Sequence, residues 1–112
     1  MCRALRILCA APGRTRLAAL KRASVAAAWE LVGGATTPED VAAQAEWWAA
    51  DVLVIDAGLG AAAVHSARSV RPGLRVVSVG GPLDGADEVA ETLDQVREAV
   101  LGIPRPGGPV RG

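Results

Sequence analysis

The stretch that decides the fold of this chain is Ala50-Asp51-Val52-Leu53-Val54-Ile55-Asp56-Ala57-Gly58-Leu59-Gly60. Its apolar core is hydrophobic on both faces of an extended strand, which is typical of a central strand in a parallel sheet. A carboxylate closes the strand, and a loop of small residues leads into a helical pattern. The stretch therefore predicts a buried strand whose carboxyl end lies at the functional edge of an α/β sheet.

Short apolar runs alternate with helical patterns on both sides of that stretch. Strands are predicted at about residues 5–10, 26–32, 51–55 and 74–79. Thr37 is expected to cap the second helix, with a proline at its first position. Strand–helix alternation with short loops predicts a flavodoxin-like three-layer α/β sandwich with four parallel strands in the order 2-1-3-4.

One domain and a tail are predicted from the length and composition. The chain has 112 residues, enough for one domain and too few for two. Residues 103–112 are dominated by Pro and Gly and have no packing face, so we expect a disordered tail after a domain at residues 1–102. Because the chain has three Trp but no Phe or Tyr, its core is expected to consist of small aliphatic side chains.

Composition also bears on compartment and partners. The formal net charge is zero, so no bulk attraction to nucleic acid or to a membrane surface is predicted. Arg3 and Arg6 interrupt the early apolar run, so no signal peptide is expected, and no apolar segment is long enough to cross a bilayer. Cys2 and Cys9 are expected to be reduced thiols of a cytoplasmic protein. Rich use of Ala, Arg, Gly and Pro indicates a bacterial source.

Opposite charges are concentrated near the two ends of the chain. Residues 1–29 carry six basic groups and no acid, whereas residues 84–98 carry six acids and only Arg97. A last helix is predicted over about residues 86–101, beside the first helix. Its predicted apolar face consists of Val89, Leu93, Val96 and Val100. The charged groups expected to meet are Arg14, Arg16, Lys21 and Arg22 with Asp87, Glu91, Asp94 and Glu98.

Three segments occur in a characteristic order: Trp-Glu-Leu-Val-Gly-Gly-Ala followed by Thr-Pro-Glu-Asp-Val-Ala from Trp29, Ala-Asp-Val-Leu-Val-Ile-Asp from Ala50, and Arg-Pro-Gly-Leu-Arg-Val-Val-Ser-Val from Arg71. This set resembles the receiver domains of bacterial two-component response regulators. The resemblance implies a flavodoxin-like fold and a role in signal transduction. It also places Asp56 at the position of the family's phosphoacceptor aspartate.

Most residues of receiver chemistry are absent at the matching positions. The family holds Mg²⁺ with that aspartate and an acidic pair after strand 1, where this chain has Ala11 and Pro12. The family's Ser or Thr after strand 4 falls near Gly80, and its fifth strand, with a Lys, is expected to be missing. One carboxylate does not assemble a Mg²⁺ site. Asp56 is therefore predicted to be a degenerate phosphoacceptor position, and neither a metal site nor a cofactor is predicted.

Two other patterns suggest a ligand or a reaction. Gly58 and Gly60 fit a G-x-G-x-x-[GA] loop between a strand and a helix, a candidate loop for a nucleotide or metabolite. The acid this fingerprint needs comes late, at Asp84, which favours a small-residue turn. Cys9, before Pro12-Gly13-Arg14-Thr15, loosely resembles the phosphocysteine loop of sugar phosphotransferase IIB components. Because Thr stands where C-x5-R requires Arg, the pattern favours a buried strand cysteine.

Adjacent tryptophans suggest a surface for contact. Trp48 continues the apolar stripe of Val41 and Ala45, which leaves Trp47 at the margin of the helix. Trp47 is therefore either a candidate interaction surface or a cover for the helix end. His65, the single histidine, is expected to be an exposed helix residue.

The sequence favours a stand-alone pseudo-receiver, a regulatory protein–protein interaction module that is not phosphorylated through a Mg²⁺-dependent aspartate. No catalytic residue is assigned, and the chain is not expected to be an enzyme. Its partner would be an unidentified protein or a second copy. The alternatives are a small phosphotransfer enzyme with Cys9 as nucleophile and a nucleotide- or metabolite-binding module at the strand-end loops.

Overall fold

A five-stranded parallel sheet with helices on both faces organises residues 4–102, the part of the chain that the computed structural model describes. The strands are β1 (Leu5–Ala10), β2 (Trp29–Ala35), β3 (Val52–Asp56), β4 (Arg75–Val79) and β5 (Glu88–Ala90). The helices are α1 (Arg14–Ala23), α2 (Pro38–Trp47), α3 (Ala61–Val70) and α4 (Val96–Gly102), with 3-10 turns at Ala57–Leu59 and Leu93–Gln95. The predicted tail at residues 103–112 lies outside the described residues.

The sheet buries one apolar layer against each face. Leu53 and Ile55 of β3 belong to the layer under α2 and α3, whereas Val52 and Val54 belong to the layer under α1 and α4. All four side chains are at most 1% exposed, as expected for the central strand of the sheet. The largest fully buried side chains are all Ile, Leu or Val, so the predicted aliphatic core is confirmed.

The strand order is β2-β1-β3-β4-β5. The flavodoxin-like α/β architecture is confirmed, but the prediction of four strands is wrong. β5 pairs in parallel with β4, from Val77 opposite Glu88 to Val79 opposite Ala90. This strand has three residues, and only Val89 and Ala90 are apolar. An apolar run of two residues is too short to predict a strand. The helix predicted over about residues 86–101 therefore included the residues of β5.

The crossover from β4 to β5, residues 80–87, contains no helix. Parallel crossovers usually need a dozen or more residues. This short one is held by Asp87, whose Oδ2 accepts hydrogen bonds from Arg68 Nη2 and from the main-chain N of Val76, both at 2.7 Å. Arg68 also donates to the carbonyl oxygen of Gly85. The guanidinium of α3 thus fixes a loop where a helix would be usual.

The last helix begins at Val96 rather than near residue 86. Val96 and Val100 are buried as predicted, but Val89 lies on β5 and is 38% exposed. Leu93 lies in the preceding 3-10 turn and is partly buried. The prediction that these four residues form one helix face is therefore wrong. Val89 and Leu93 have helical spacing in the sequence but belong to a strand and a 3-10 turn.

The predicted meeting of charges between the first and last helices is correct only in part. The 3-10 turn before α4 does pack beside α1. Arg16, however, pairs with Asp56 at the carboxyl end of β3, and Asp87 pairs with Arg68 of α3. Asp87 lies in the loop before β5 rather than on the last helix, and it therefore meets α3. Arg22 does line one surface pocket together with Asp94 and Glu98, as the predicted arrangement requires.

β2 runs from Trp29 to Ala35, three residues later at each end than the strand predicted at about residues 26–32. The side-chain amide of Gln44 in α2 closes the outer edge of this strand at Gly34. Gln44 Oε1 accepts from the Gly34 N at 3.1 Å, and Gln44 Nε2 donates to the Gly34 O at 2.7 Å. α2 begins as predicted, with Thr37 Oγ1 accepting from the N of Asp40 at 3.2 Å. Among residues 4–102 no helix combines the length and the apolar character needed to cross a membrane.

Candidate functional site

Asp56 ends β3 at the carboxyl edge of the sheet, and both of its oxygens are hydrogen-bonded. Oδ1 accepts from Arg16 Nε at 2.8 Å, and Oδ2 accepts from the main-chain N of Gly58 at 3.0 Å. The side chain of Asp56 is 15% exposed and that of Arg16 is 40% exposed. Asp56 therefore caps the 3-10 turn that follows it and is neutralised by a cation from α1.

Arg16 lies in a helix start of unusual charge. The first turn of α1 contains Arg14 and Arg16 but no acid, and its N-cap, Gly13, makes no side-chain hydrogen bond. Cations are unfavourable near a helix N-terminus because the helix dipole is positive there. Arg16 offsets this cost through its charge-assisted bond to Asp56, which contributes about 0.5–1.5 kcal/mol. Basic residues in the first turn of a helix, with no acid beside them, are the feature of the sequence that could have indicated an acidic partner for Arg16.

The end of β1 supplies no metal ligand to this site. Ala11 is fully buried, and its N donates to the Ala35 O at 3.0 Å. Pro12 lies against the turn, since a Cβ added at Gly58 would meet Pro12 Cγ at 3.3 Å. In the described part of the chain, no three His, Cys, Asp or Glu side chains are grouped so that they could hold a metal ion. The donor set around Asp56 therefore does not fit Mg²⁺.

β4 and β5 complete this edge of the sheet. Gly80 has φ +88°, and a Cβ added there would lie 3.7 Å from Arg16 Nη2 and 3.9 Å from Asp56 Oδ1. The hydroxyl of Ser78, on β4, donates to the Gly81 O at 2.7 Å and is directed into the loop. Glu91 directly follows β5, whereas the chain's single lysine, Lys21, lies in α1. The fifth strand exists, but no lysine follows it.

Cys9 lies inside the sheet rather than in a phosphate-binding loop. It is fully buried, and its Sγ lies 3.6 Å from Ser24 Oγ. Burial raises the pKa of the Cys9 thiol to about 11, although the Ser24 hydrogen bond and the charge of Lys21 both act to lower it. The nucleophilic thiolate is therefore scarce at neutral pH, which argues against Cys9 as a nucleophile.

Gly58 and Gly60 lie in the turn after β3, and their main-chain amides are not directed at a phosphate ligand. The Gly58 amide that would approach a pyrophosphate donates to Asp56 instead. Gly60 has φ +96°, and its N donates to the Ala57 O at 3.2 Å. The amides of both glycines are therefore already engaged within the turn.

The remaining predicted residues lie away from Asp56. Trp47 is 80% exposed on α2, at the opposite end of the strands. Trp48 covers β2, since a Cβ added at Gly33 would lie 2.9 Å from its Nε1. His65, on α3, is 3.1 Å from Asp84. Sequence reasoning missed this exposed pair because the two residues are 19 positions apart and only the fold brings them together.

Comparison with solved structures finds close matches to this architecture. The receiver domain of the putative response regulator NarL from Mycobacterium tuberculosis matches with a TM-score of 0.70 and 17% identity, covering 89% of this chain and 92% of that chain. The response regulator domain of Thermotoga maritima CheB matches with a TM-score of 0.70 and 18% identity, over 88% and 92%. This chain has the receiver fold. A chain of the CheX–CheY–BeF3–Mg complex of Borrelia burgdorferi matches this receiver fold with a TM-score of 0.74 and 11% identity, over 88% of each chain. No family model and no curated protein matches the sequence.

Proposed function

We propose that this receiver-fold protein is a regulatory protein–protein interaction module that is not switched by Mg²⁺-dependent phosphorylation of Asp56. The observation that carries the proposal is the Arg16–Asp56 ion pair. Phosphoryl transfer needs a divalent cation to neutralise the charge on the transferring oxygens. The guanidinium of Arg16 neutralises the carboxylate but offers no coordination position for a phosphoryl oxygen.

The same ion pair supports a module with one constant conformation. The pair ties the first turn of α1 to the end of β3, and the Asp56 cap ties β3 to the turn before α3. In this proposal the protein presents a fixed surface to its partner and catalyses no reaction. The partner is a protein or a second copy in the bacterial cytoplasm.

The proposal is tested by phosphorylation in solution. The protein is incubated with acetyl phosphate and Mg²⁺, and separately with beryllofluoride and Mg²⁺. Intact mass and the amide NMR spectrum are then recorded, with an active receiver as reagent control. We expect neither to change. A Mg²⁺-dependent mass gain that disappears in Asp56→Asn would overturn the proposal.

The interaction role needs its own measurement. Native mass spectrometry of the protein isolated from its source cell should show a bound protein or a self-dimer. A monomer that carries a stoichiometric small molecule would instead support the ligand-binding alternative and contradict an interaction module.

A further inference from the structure

The face of α2 that is directed away from the sheet carries an exposed indole. Trp47 is 80% exposed, more than any other large apolar side chain of the described residues. Helical spacing places Ala43 one turn before it and Asp40 one turn before that, on the same side of the helix. Ala43 is exposed and has only a methyl group, so no large side chain of α2 stands between the indole and Asp40 on this side.

Carboxylates lie on both sides of Ala43 on the surface of α2. Glu39, Asp40 and Glu46 are the charged residues of α2, which contains no basic residue. Glu39 and Glu46 are exposed. Asp40 is held in place, because its Oδ2 accepts a hydrogen bond from Gln44 Nε2 at 2.9 Å. Asp40, Glu39, Ala43, Glu46 and Trp47 are called the α2 patch below.

Basic groups from neighbouring elements reach the end of α2 but are already bonded. Arg6 Nη1 donates to the Trp48 O at 2.8 Å, and Arg6 Nε is 3.9 Å from Glu30 Oε1. Arg71 donates to the Ala50 O through Nε at 3.2 Å and through Nη2 at 2.9 Å. These arginines therefore hold main-chain carbonyls beyond α2 and leave the α2 patch with its negative charge.

We infer that the α2 patch binds an arginine-bearing segment of a partner protein. A guanidinium can stack flat on the indole of Trp47 while its edge donates to a flanking carboxylate. Bidentate hydrogen bonds between guanidinium and carboxylate add both strength and orientation. Tryptophan and arginine are among the residue types enriched at the energetic centres of interfaces. This inference rests on the proposed function, because it names the partner chemistry of the interaction module.

Charge favours this occupant over two others. A purely apolar partner would bury the carboxylates of the patch without a counter-charge, which is costly. A second copy placed symmetrically would bring the same acidic patch against itself, since a two-fold interface pairs one surface with its own image. A cationic segment has neither penalty.

The test is an NMR titration of the full chain with a synthetic helix-forming peptide that carries arginines along one face. The indole N–H signal of Trp47 is assigned by its absence in Trp47→Ala. We expect this signal and the α2 amides to shift saturably. Trp47→Ala and the double variant Glu39→Gln/Glu46→Gln should each weaken binding about tenfold or more. Both variants change only exposed side chains, so the fold should be retained, and circular dichroism is recorded to check this.

The matched control is Glu88→Gln/Glu98→Gln, which makes the same change in net charge on β5 and α4. It should leave peptide affinity unchanged, and a peptide with glutamates in place of the arginines should not bind. Equal weakening by the control variant would reduce the effect to net charge and overturn the inference. The inference would also be overturned if the Trp47 indole signal did not shift on addition of the peptide. A self-dimer that dissociates in Trp47→Ala would overturn it as well. Phosphorylation at Asp56 is measured at the other end of the strands, so either proposal can fail alone.

Discussion

The guanidinium of Arg16 and the carboxylate of Asp56 meet at 2.8 Å across the carboxyl edge of the sheet. The contact joins residues forty positions apart in the chain and links α1 to β3. Both oxygens of the carboxylate that the proposed function leaves unphosphorylated are therefore already hydrogen-bonded.

The first prediction is a measurable coupling between Arg16 and Asp56. In a double-mutant cycle of Arg16→Met and Asp56→Asn, urea unfolding should give an interaction free energy of about 0.5–1.5 kcal/mol. The value is modest because water still reaches the Arg16 side chain. It should fall in high salt. An interaction free energy of zero would show that the Arg16–Asp56 pair does not form in solution.

The second prediction concerns the backbone of Gly80. Its φ of +88° is a left-handed conformation, so Gly80→Ala should destabilise the protein by about 1–2 kcal/mol. The added methyl itself meets nothing closer than 3.7 Å, which isolates the backbone effect. Gly73→Ala is the control, because a Cβ there has open space and no positive φ. Equal unfolding free energies for the two variants would contradict the geometry.

The third prediction follows from the pKa of Cys9, raised by burial from 9.0 to about 11. In a Cys2→Ser background, iodoacetamide should label the native protein slowly at neutral pH and the urea-unfolded protein rapidly. Below pH 9 the thiol is protonated in both states. Between pH 9 and 11 the unfolded state loses its proton first, so stability falls by at most about 2–3 kcal/mol. Cys9→Ala should remove that alkaline loss, and rapid native labelling would favour the phosphotransfer alternative.

The fourth prediction separates the two ends of the final segment. Val96 is fully buried, so Val96→Ala should cost about 1–3 kcal/mol. Leu93→Ala should cost less than a fully buried leucine would, because Leu93 is only partly covered. Urea melts of both variants give the comparison. A larger loss for Leu93→Ala would restore the longer helix that the sequence suggested.

The fifth prediction concerns the helix-free crossover. Asp87→Ala should destabilise the protein by about 1–3 kcal/mol, because it leaves the part-buried main-chain N of Val76 without its acceptor and removes the ion-pair partner of Arg68. Amide exchange should rise first in β5. Asp84→Ala is the control, since the Asp84 side chain is 83% exposed. If Asp84→Ala costs as much, then the Asp87 network is not what holds the crossover.

Local signals in the sequence predicted most of the first four strands. β1 and the Thr37 cap depend on nearby residues alone, and the chain follows them closely. β5 could not be found this way. Its three residues are defined by pairing with β4 and by the Asp87 network, and neither is local in sequence.

The candidate site divides in the same manner. Asp56 was found because a carboxylate after a buried strand is a local pattern. Its partner was not, because Arg16 was expected to meet acids of the last helix, and only the tertiary arrangement brings α1 to the end of β3. Net charge in a segment therefore predicted the need for a partner but not which partner.

The amide of Gln44, which satisfies both main-chain groups of Gly34, affects how the protein behaves at high concentration. β2 is an edge strand, and free edge groups invite another chain to add a strand in aggregation or amyloid growth. A side chain that imitates the hydrogen bonds of a neighbouring strand removes that template at Gly34. A glutamine on a helix thus protects the edge strand, at the second glycine of the Gly33-Gly34 pair, against self-templated polymerisation.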